Sequence, residues 1–349
     1  MNSSLLCRLY AVVLLASSCT SQQTIQRKYL AALDHQRSGR TLAATELWME
    51  LIQHYPRIAG PRTNMAIAEF ERGRTEQANR LLRQELRLND SVFAARYALG
   101  VVQYRSKKWG PTEHTARRLL IDHPSSPEAN FLLACTKYKQ GATYADVQVP
   151  LQVVLKHALS PDLQSRGYHL MGIAQLRDGQ LLSGLQSIQR ATELRRDAIA
   201  TYNLAVAHVA AGDLLKADKA LDAAEDLDSN AYQIPLLRAH IAVHRRQLDS
   251  ARRYLTEALR RQPKRTAATL AISATIMLHS SAYEDARDTW RQVTKMNPKK
   301  AAYWTNLGLA SLHCDDITGS LSAFKKAHAL APDDRLEHTI RQLQAMSDD

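Results

Sequence analysis

The sequence predicts an all-α protein, a solenoid of about nine helix pairs followed by one closing helix. Ala, Leu, Arg and Gln dominate, with 13 Gly and 11 Pro in 349 residues, so helix formers are abundant and helix breakers are few. A unit of about 34 residues recurs between residues 25 and 334, and its eighth residue is always Ala or Gly. A repeat of this length indicates stacked helix pairs, each burying its apolar surface against its neighbours.

Residues 1 to 18 predict a signal peptide. Arg8 precedes the apolar stretch LYAVVLLA, and two serines follow it. This layout is typical of a secretory leader, and the apolar stretch is too short to span a bilayer. An uncleaved anchor or a cytosolic protein remains an alternative.

The segment ASSC resembles the lipobox of bacterial lipoproteins, in which the cysteine becomes the lipidated first residue of the mature protein. That resemblance implies lipid attachment at Cys19, although Leu15 sits one place further from the cysteine than the usual leucine. Thr20, rather than Asp, follows the cysteine, which implies the outer membrane. An ordinary cleaved signal peptide is the alternative.

The units have Ala or Gly at position eight and, with one exception, a small residue at position twenty. The predicted units are 25–58, 59–92, 93–126, 127–164, 165–197, 198–231, 232–266, 267–300 and 301–334. Position eight is Ala32, Ala66, Gly100, Ala134, Gly172, Ala205, Ala239, Ala274 and Gly308. Only Val149 is large at position twenty, where the second helix of a pair packs against the first.

The last unit carries the clearest motif, and it resembles the tetratricopeptide (TPR) pattern W-x2-L-G…A-x3-F…P. The matching residues are Trp304, Leu307, Gly308, Ser320, Phe324 and Pro332. The resemblance implies a TPR α-α superhelical solenoid whose first helices line a groove. After residue 334, Leu336, Ile340 and Leu343 share one helical face and predict a capping helix.

The fourth unit predicts a joint, because it is about 38 residues long and has Pro150 inside its second helix, where proline should kink or split it. The predicted organisation is a signal peptide at 1–18, a lipidated N-terminus and short tether at 19–24, a first TPR stack at 25–143, an irregular joint at 144–164, a second TPR stack at 165–334, and a capping helix and tail at 335–349.

Aromatic residues at positions five and twelve of the first helices should face the groove, as the TPR resemblance implies. They are Tyr29, Phe70, Tyr97, Tyr104, Phe131, Tyr138 and Tyr202. Such a groove could hold a peptide segment of a partner protein, or it could stack sugar rings. Alternatively, some of these rings only pack against the neighbouring helix.

The net charge of +12 favours an anionic partner. Its basic pairs fall on the second helices or just beyond them, on the convex side, so an anion should meet the outside of the superhelix rather than its groove. They are Arg117-Arg118, Arg252-Arg253, Arg260-Arg261 and Lys325-Lys326. An acidic glycan or lipid headgroups could bind there, or these residues are simply solvated. We expect no nucleic acid.

No enzymatic constellation is present in the sequence. His240 and His244 are four residues apart, a spacing that can chelate a metal, but no third ligand is apparent. No phosphate-binding loop, dinucleotide fingerprint or nucleophile elbow occurs. We therefore expect no catalytic residues, no cofactor and no metal. The carboxylate clamp of chaperone-binding TPR domains is not matched either.

These features predict a lipid-anchored TPR scaffold on the periplasmic face of a bacterial outer membrane, binding partner proteins of an envelope assembly machine of the pilus or secretion type. The alternative is a glycan-binding module of a polysaccharide synthesis or export complex.

Overall fold

The computed structural model describes residues 20–262 and 265–348, and these form nineteen α-helices without a strand. The predicted signal peptide and Cys19 lie outside the described residues. Within them, no helix is both long enough and apolar enough to cross a membrane. The predicted all-α fold of helix pairs with a closing helix is confirmed.

The chain divides into two compact units between Arg195 and Arg196. Unit 1 contains α1 (Thr20–Arg37), α2 (Thr41–His54), α3 (Pro61–Glu71), α4 (Thr75–Leu88), α5 (Phe93–Arg105), α6 (Trp109–Asp122), α7 (Pro127–Lys139), α8 (Tyr144–His157), α9 (Pro161–Arg177) and α10 (Leu181–Leu194). Unit 2 contains α11 (Ala198–Ala210), α12 (Leu214–Leu227), α13 (Gln233–His244), α14 (Leu248–Arg261), α15 (Ala267–His279), α16 (Tyr283–Met296), α17 (Ala301–Leu312), α18 (Ile317–Leu330) and α19 (Asp334–Asp348).

The turn inside every helix pair has the same backbone geometry. Its central residue is position fifteen of the predicted unit and has a positive φ, between 55° and 92°. The next residue donates its backbone N–H to the carbonyl five residues earlier, as Arg74 does to Glu69 at 2.9 Å. This is the Schellman arrangement that ends an α-helix. The positive-φ residues are Gly39, Gly73, Lys107, Gly141, Gly179, Gly212, Arg246, Ser281 and Asp315.

Position eight is the close contact between the two helices of a pair, as predicted. Its alanines are fully buried. A Cβ added to Gly172 of α9 would lie 2.5 Å from Ile188 Cγ1 of α10, and one added to Gly308 of α17 would lie 2.6 Å from the Phe324 ring of α18. Because nothing larger than hydrogen fits at these glycines without displacing a packed side chain, the small residue sets how closely the helices approach.

The predicted irregular joint at 144–164 consists instead of the regular helix α8, a three-residue connection and the start of α9. α8 is continuous through Pro150, and Val147, Leu151 and Val154 of α8 share one buried cluster with residues of α7 and α9. The division of the chain falls about 40 residues later. The extra residues of the fourth unit form an additional turn at the start of α9, which has 17 residues and begins with Pro161.

Two details of α8 explain how the helix continues through Pro150 and why Val149 does not make the contact predicted for position twenty. Proline lacks the N–H that would bond to the Asp146 carbonyl, and Lys137 Nζ donates to that oxygen instead at 3.3 Å. Val149 is 67% exposed, whereas Val147, the fourth residue of α8, is fully buried and makes the contact predicted for position twenty.

The two ends of the described chain are helical. α1 begins at Thr20, so the predicted tether at 20–24 is the first turn of a helix. The segment TSQQT contains neither Gly nor Pro to delay the start of a helix. At the other end, Ile340 and Leu343 of α19 pack on Phe324 of α18, as expected of a capping helix. Asp333 Oδ1 accepts the Arg335 N–H at 2.8 Å and so caps α19.

Candidate partner-binding face

The first helices of successive pairs in unit 1 contact one another in the order α3, α5, α7 and α9. These helices carry five of the seven aromatic residues predicted to line a groove. Position twelve lies seven residues beyond position five and on the same face of the helix, yet in unit 1 the two sets differ in exposure. The structure therefore separates the predicted residues into core and surface.

The position-five residues Tyr29, Tyr97 and Phe131 are core residues, which corrects the prediction that they contact a partner. Their exposed fractions are 5%, 0% and 4%. The Tyr29 hydroxyl accepts a hydrogen bond from Asn64 Nδ2 at 2.9 Å, and its ring meets Trp48 edge-on at 4.9 Å. Buried side chains of this kind stabilise the stack and present no area to a ligand.

The position-twelve residues of unit 1 lie at the surface. Phe70, Tyr104 and Tyr138 are each half-buried, on α3, α5 and α7. Tyr104 packs against the same two clusters that hold Phe70 and Tyr138, and its ring meets Trp109 edge-on at 5.2 Å. Tyr202 is a position-five residue of α11 in unit 2, and unlike the three buried aromatic residues at position five of unit 1 it is half-buried.

Arginines of the following first helices lie over two of these rings. Arg105 of α5 lies over Phe70 at 5.7 Å from the ring centroid, and Arg177 of α9 lies over Tyr138 at 4.3 Å. Arg177 Nη1 also donates to the Tyr138 carbonyl at 3.3 Å and ties α9 to the end of α7. A cation over a ring face is attracted by the ring quadrupole, typically by about 0.5–1 kcal/mol at exposed sites.

A third arginine, Arg166 of α9, lies 5.0 Å from the Phe131 ring centroid with 20% of its side chain exposed. It is close enough to the Tyr104 hydroxyl and the Cys135 thiol to affect their pKa values. We define the aromatic–arginine face as the surface formed by Phe70, Tyr104, Tyr138, Arg105, Arg166 and Arg177.

Sequence reasoning missed the arginines of this face, because it placed the charge on the second helices or just beyond them, on the convex side. Arg166 is at position two of its unit, a position that faces the groove in TPR proteins, so the sequence could have placed this arginine on the face. Arg105 and Arg177 occupy position thirteen, one residue past the aromatic position. The correction is that cations also line the first helices of unit 1.

The surroundings of Cys135 do not favour a role as a nucleophile. It is buried on α7, and burial raises the pKa of its thiol to about 12, opposed by the nearby Arg166. The thiol therefore stays protonated at neutral pH, and the thiolate is the reactive form.

The basic pairs of the second helices are largely engaged by carboxylates. Arg260 and Arg261 both bond to Glu257, at 2.8 Å, and hydrogen bonds from these two arginines lower the pKa of Glu257 to about 2. Arg117 pairs with Glu113 at 2.6 Å. Pairing of this kind leaves less uncompensated charge for an acidic glycan or lipid headgroup, whose binding there stays a prediction.

His240 and His244 approach each other with their Nε2 atoms 3.1 Å apart. Burial lowers the pKa of His240, helped by His244 and Lys300. No group of three metal-ligating side chains occurs within residues 20–262 and 265–348. The pair therefore has no third protein ligand there.

A second buried polar group joins α1, α3 and α4. Glu85 of α4 is fully buried, and its Oε1 accepts the Gly60 N–H at 2.6 Å, at the start of α3. Burial raises the pKa of Glu85, opposed by the Gly60 hydrogen bond and by Arg62. Gly60 has a φ of 107°, and its missing side chain leaves room for the Tyr29 hydroxyl. These buried contacts hold α1, α3 and α4 together.

Comparison with known proteins agrees with this architecture. The tetratricopeptide-repeat family model matches residues 63–110, 169–232 and 280–335. A search of curated proteins gives no significant match.

Two solved structures share the fold over much of the chain. One is a chain of the APC/C hetero-tetramer Cut9–Hcn1, with 14% identity over 88% of this chain and 60% of that chain, and a TM-score of 0.61. The present chain thus spans less than two thirds of that protein's length. The other is PilF of Pseudomonas aeruginosa, with 19% identity over 61% of this chain and 95% of that chain, and a TM-score of 0.53. At these identities the likeness concerns the fold. In the three matched segments the chain contains tetratricopeptide repeats, and the same pattern of helix pairs continues on both sides of them.

Proposed function

We propose that this protein is an adaptor that binds a segment of a partner protein along the aromatic–arginine face of unit 1. The observation that carries the proposal is that two half-buried rings of first helices, Phe70 of α3 and Tyr138 of α7, each have an arginine of the next first helix over one face, with the half-buried Tyr104 on α5, the first helix between them. Such rings offer large contact area at a low cost in side-chain entropy, and their hydroxyls and the adjacent cations give direction to a bound segment.

We further propose that the adaptor works at the periplasmic face of a bacterial outer membrane, within a pilus-type or secretion-type assembly machine. The support for this location is the leader sequence with its lipobox-like ASSC segment. A lipid on Cys19 would hold the partner near the membrane and raise its local concentration.

The binding face is tested by capture of partners with the wild-type chain and with a Phe70→Ala/Tyr104→Ala/Tyr138→Ala variant. We expect the triple variant to lose its partner, because the three rings supply the contact area. The matched control is Tyr254→Ala, which removes a 38%-exposed tyrosine of α14 in unit 2 and should leave capture unchanged. Capture that survives the triple change would refute the assigned face.

The glycan alternative is tested in the same experiment by adding an acidic polysaccharide at rising salt. Binding of the polymer that falls steeply with salt, and that the triple variant retains, would favour the alternative, because exposed charges are screened within about 10 Å at 0.1 M salt.

A further inference from the structure

Five lysines towards the C-terminal end of unit 2 lack a carboxylate partner. We find no ion pair for any of them within residues 20–262 and 265–348. Other basic residues of unit 2 differ, since Arg260 and Arg261 both bond to Glu257 at 2.8 Å. Asp333, just before α19, is itself engaged, because its Oδ1 accepts the Arg335 N–H at 2.8 Å. The five exposed lysines are Lys295, Lys299, Lys300, Lys325 and Lys326.

Two aromatic rings gather these lysines at one edge of unit 2, where α16 and α18 end and α17 begins. Lys326 Nζ of α18 lies 4.6 Å from the centroid of the Trp304 ring, in the first turn of α17. Lys300 Nζ, just before α17, lies 4.5 Å from the centroid of the Tyr303 ring. Trp304 Nε1 donates to the Pro298 carbonyl at 2.8 Å and so holds the connection from α16 against α17. We call the five lysines the lysine edge.

Apolar side chains are exposed beside the lysines. Met296, the last residue of α16, is 53% exposed, and Leu330, the last residue of α18, is 41% exposed. Trp304 is half-buried between them in the chain. The edge therefore combines uncompensated positive charge with accessible apolar surface.

An anionic lipid surface is the partner that matches both properties. Lysine is a compact point charge, and lysines held near an anionic bilayer are attracted to it without a fixed bonding geometry. Indole rings are favoured at the level of the headgroups, and apolar side chains gain by entering the boundary with the acyl chains. A polyanion in water, such as an acidic polysaccharide, would engage the lysines but leave Met296 and Leu330 exposed.

We infer that the lysine edge binds an anionic lipid surface, so that unit 2 contacts a bilayer through its headgroups. The lysines supply the attraction, and Trp304, Met296 and Leu330 enter the interface. This contact goes beyond the proposed function, because it requires neither a lipid on Cys19 nor the aromatic–arginine face of unit 1.

The test measures co-sedimentation of the purified full chain with vesicles. The chain carries Cys19→Ala so that no acyl group contributes, and the vesicles are phosphatidylcholine alone or an equal mixture with phosphatidylglycerol. We expect stronger binding to the mixed vesicles. Lys299→Gln/Lys300→Gln/Lys326→Gln should weaken that binding about 100-fold, since each lysine near such a surface contributes about 5-fold.

A charge-matched control separates the lysine edge from net charge. Lys216→Gln/Arg252→Gln/Arg260→Gln also removes three cations of unit 2, each of which is paired with a carboxylate, on Asp213, Asp249 and Glu257 respectively. It should weaken binding to the mixed vesicles by less than about 5-fold, the contribution of one free lysine. All six substituted side chains are exposed, so the helical circular dichroism of both variants should match that of the parent chain.

A second variant tests the apolar part of the contact. Met296→Ser/Leu330→Ser keeps all five lysines and should weaken binding to the mixed vesicles by about 10-fold, because each side chain loses part of the gain from leaving water. Binding of polygalacturonate, a soluble polyanion, should be the same for this variant and its parent.

Three outcomes would overturn the inference: equal binding to the two kinds of vesicle, an equal loss in the lysine variant and its charge-matched control, or binding of polygalacturonate without binding of the mixed vesicles. The last of these would assign the lysine edge to an acidic glycan instead. The Phe70→Ala/Tyr104→Ala/Tyr138→Ala variant should bind the mixed vesicles as its parent does, so failure of the proposed function and failure of this inference are observed separately.

Discussion

Two features of individual residues are not revealed by the pattern of apolar positions: the left-handed residue in each turn and the buried Glu85. The fifteenth residue of each unit adopts a left-handed backbone, and four units place Lys107, Arg246, Ser281 or Asp315 there instead of glycine. For an L-residue this conformation costs about 1–2 kcal/mol. The turn persists because the helices on both sides are held by their own packing.

Arg246 and Gly212 form a matched pair for testing this strain within unit 2. We expect Arg246→Gly to stabilise the protein by about 0.5–1 kcal/mol, since the relief of strain exceeds the added entropy of the unfolded chain. Gly212→Ala should destabilise it by about 1–2 kcal/mol; nothing lies within 4 Å of the added Cβ, so the backbone alone resists it. Urea unfolding midpoints measure both, and equal effects in the same direction would contradict the explanation.

Glu85 is the second residue-scale feature and predicts a pH dependence. Because its pKa is raised in the folded state, its contribution to stability is complete below the ordinary glutamate pKa of 4.5 and is lost as the pH rises through the folded pKa. Glu85→Gln carries no charge at any pH. We therefore expect its stability, relative to wild type, to improve from pH 4 to pH 7 in urea titrations. A constant difference, or the opposite trend, would show that Glu85 does not titrate in this way.

At the scale of elements, α8 shows how a helix accommodates a proline. Sequence reasoning predicted a kinked or split helix at Pro150 because it considered only the lost backbone hydrogen bond. In the folded chain, Lys137 of α7 donates to the Asp146 carbonyl that Pro150 leaves free. A residue on a different helix supplies this compensation, so no local pattern could indicate it.

A double-mutant cycle tests the compensation. Lys137→Ala should destabilise the protein by about 0.5–1 kcal/mol, the usual net value of one hydrogen bond. In the Pro150→Ala background the helix can donate its own N–H, so the same change should cost much less. Unfolding free energies of the four proteins give the coupling, and a coupling of zero would mean that Lys137 is not a substitute donor.

The whole molecule consists of two units, and the predicted binding residues are distributed unevenly between them. Phe70, Tyr104 and Tyr138 all belong to unit 1, together with the three arginines of the aromatic–arginine face. α1, the first helix of that unit, begins at Thr20, immediately after Cys19. An acyl group on Cys19 would therefore place unit 1 beside the membrane.

The anchor is tested by changing Cys19→Ala in cells that process lipoproteins. We expect the wild-type protein to incorporate labelled palmitate and to fractionate with membranes, because several acyl chains bind a bilayer far more tightly than one. The variant should lose the label and become extractable without detergent. The control is Cys135→Ala, which removes a buried thiol and should keep both properties. Retention of label by Cys19→Ala would remove the anchor from the proposal.

The repeat period, the small residue at position eight and the apolar face of the last helix determined the fold class, because each is a local requirement of packing one helix against the next. Tertiary structure alone decided which aromatic rings remain accessible. Tyr97 and Tyr104 lie on the same face of α5, yet Tyr97 is fully buried and Tyr104 is half-buried. Tertiary structure also brought Arg166 over the Phe131 ring, although the two residues are 35 positions apart in the sequence. The exposure of a side chain and the charges around it depend on neighbouring helices, so the periodicity within one helix does not predict them.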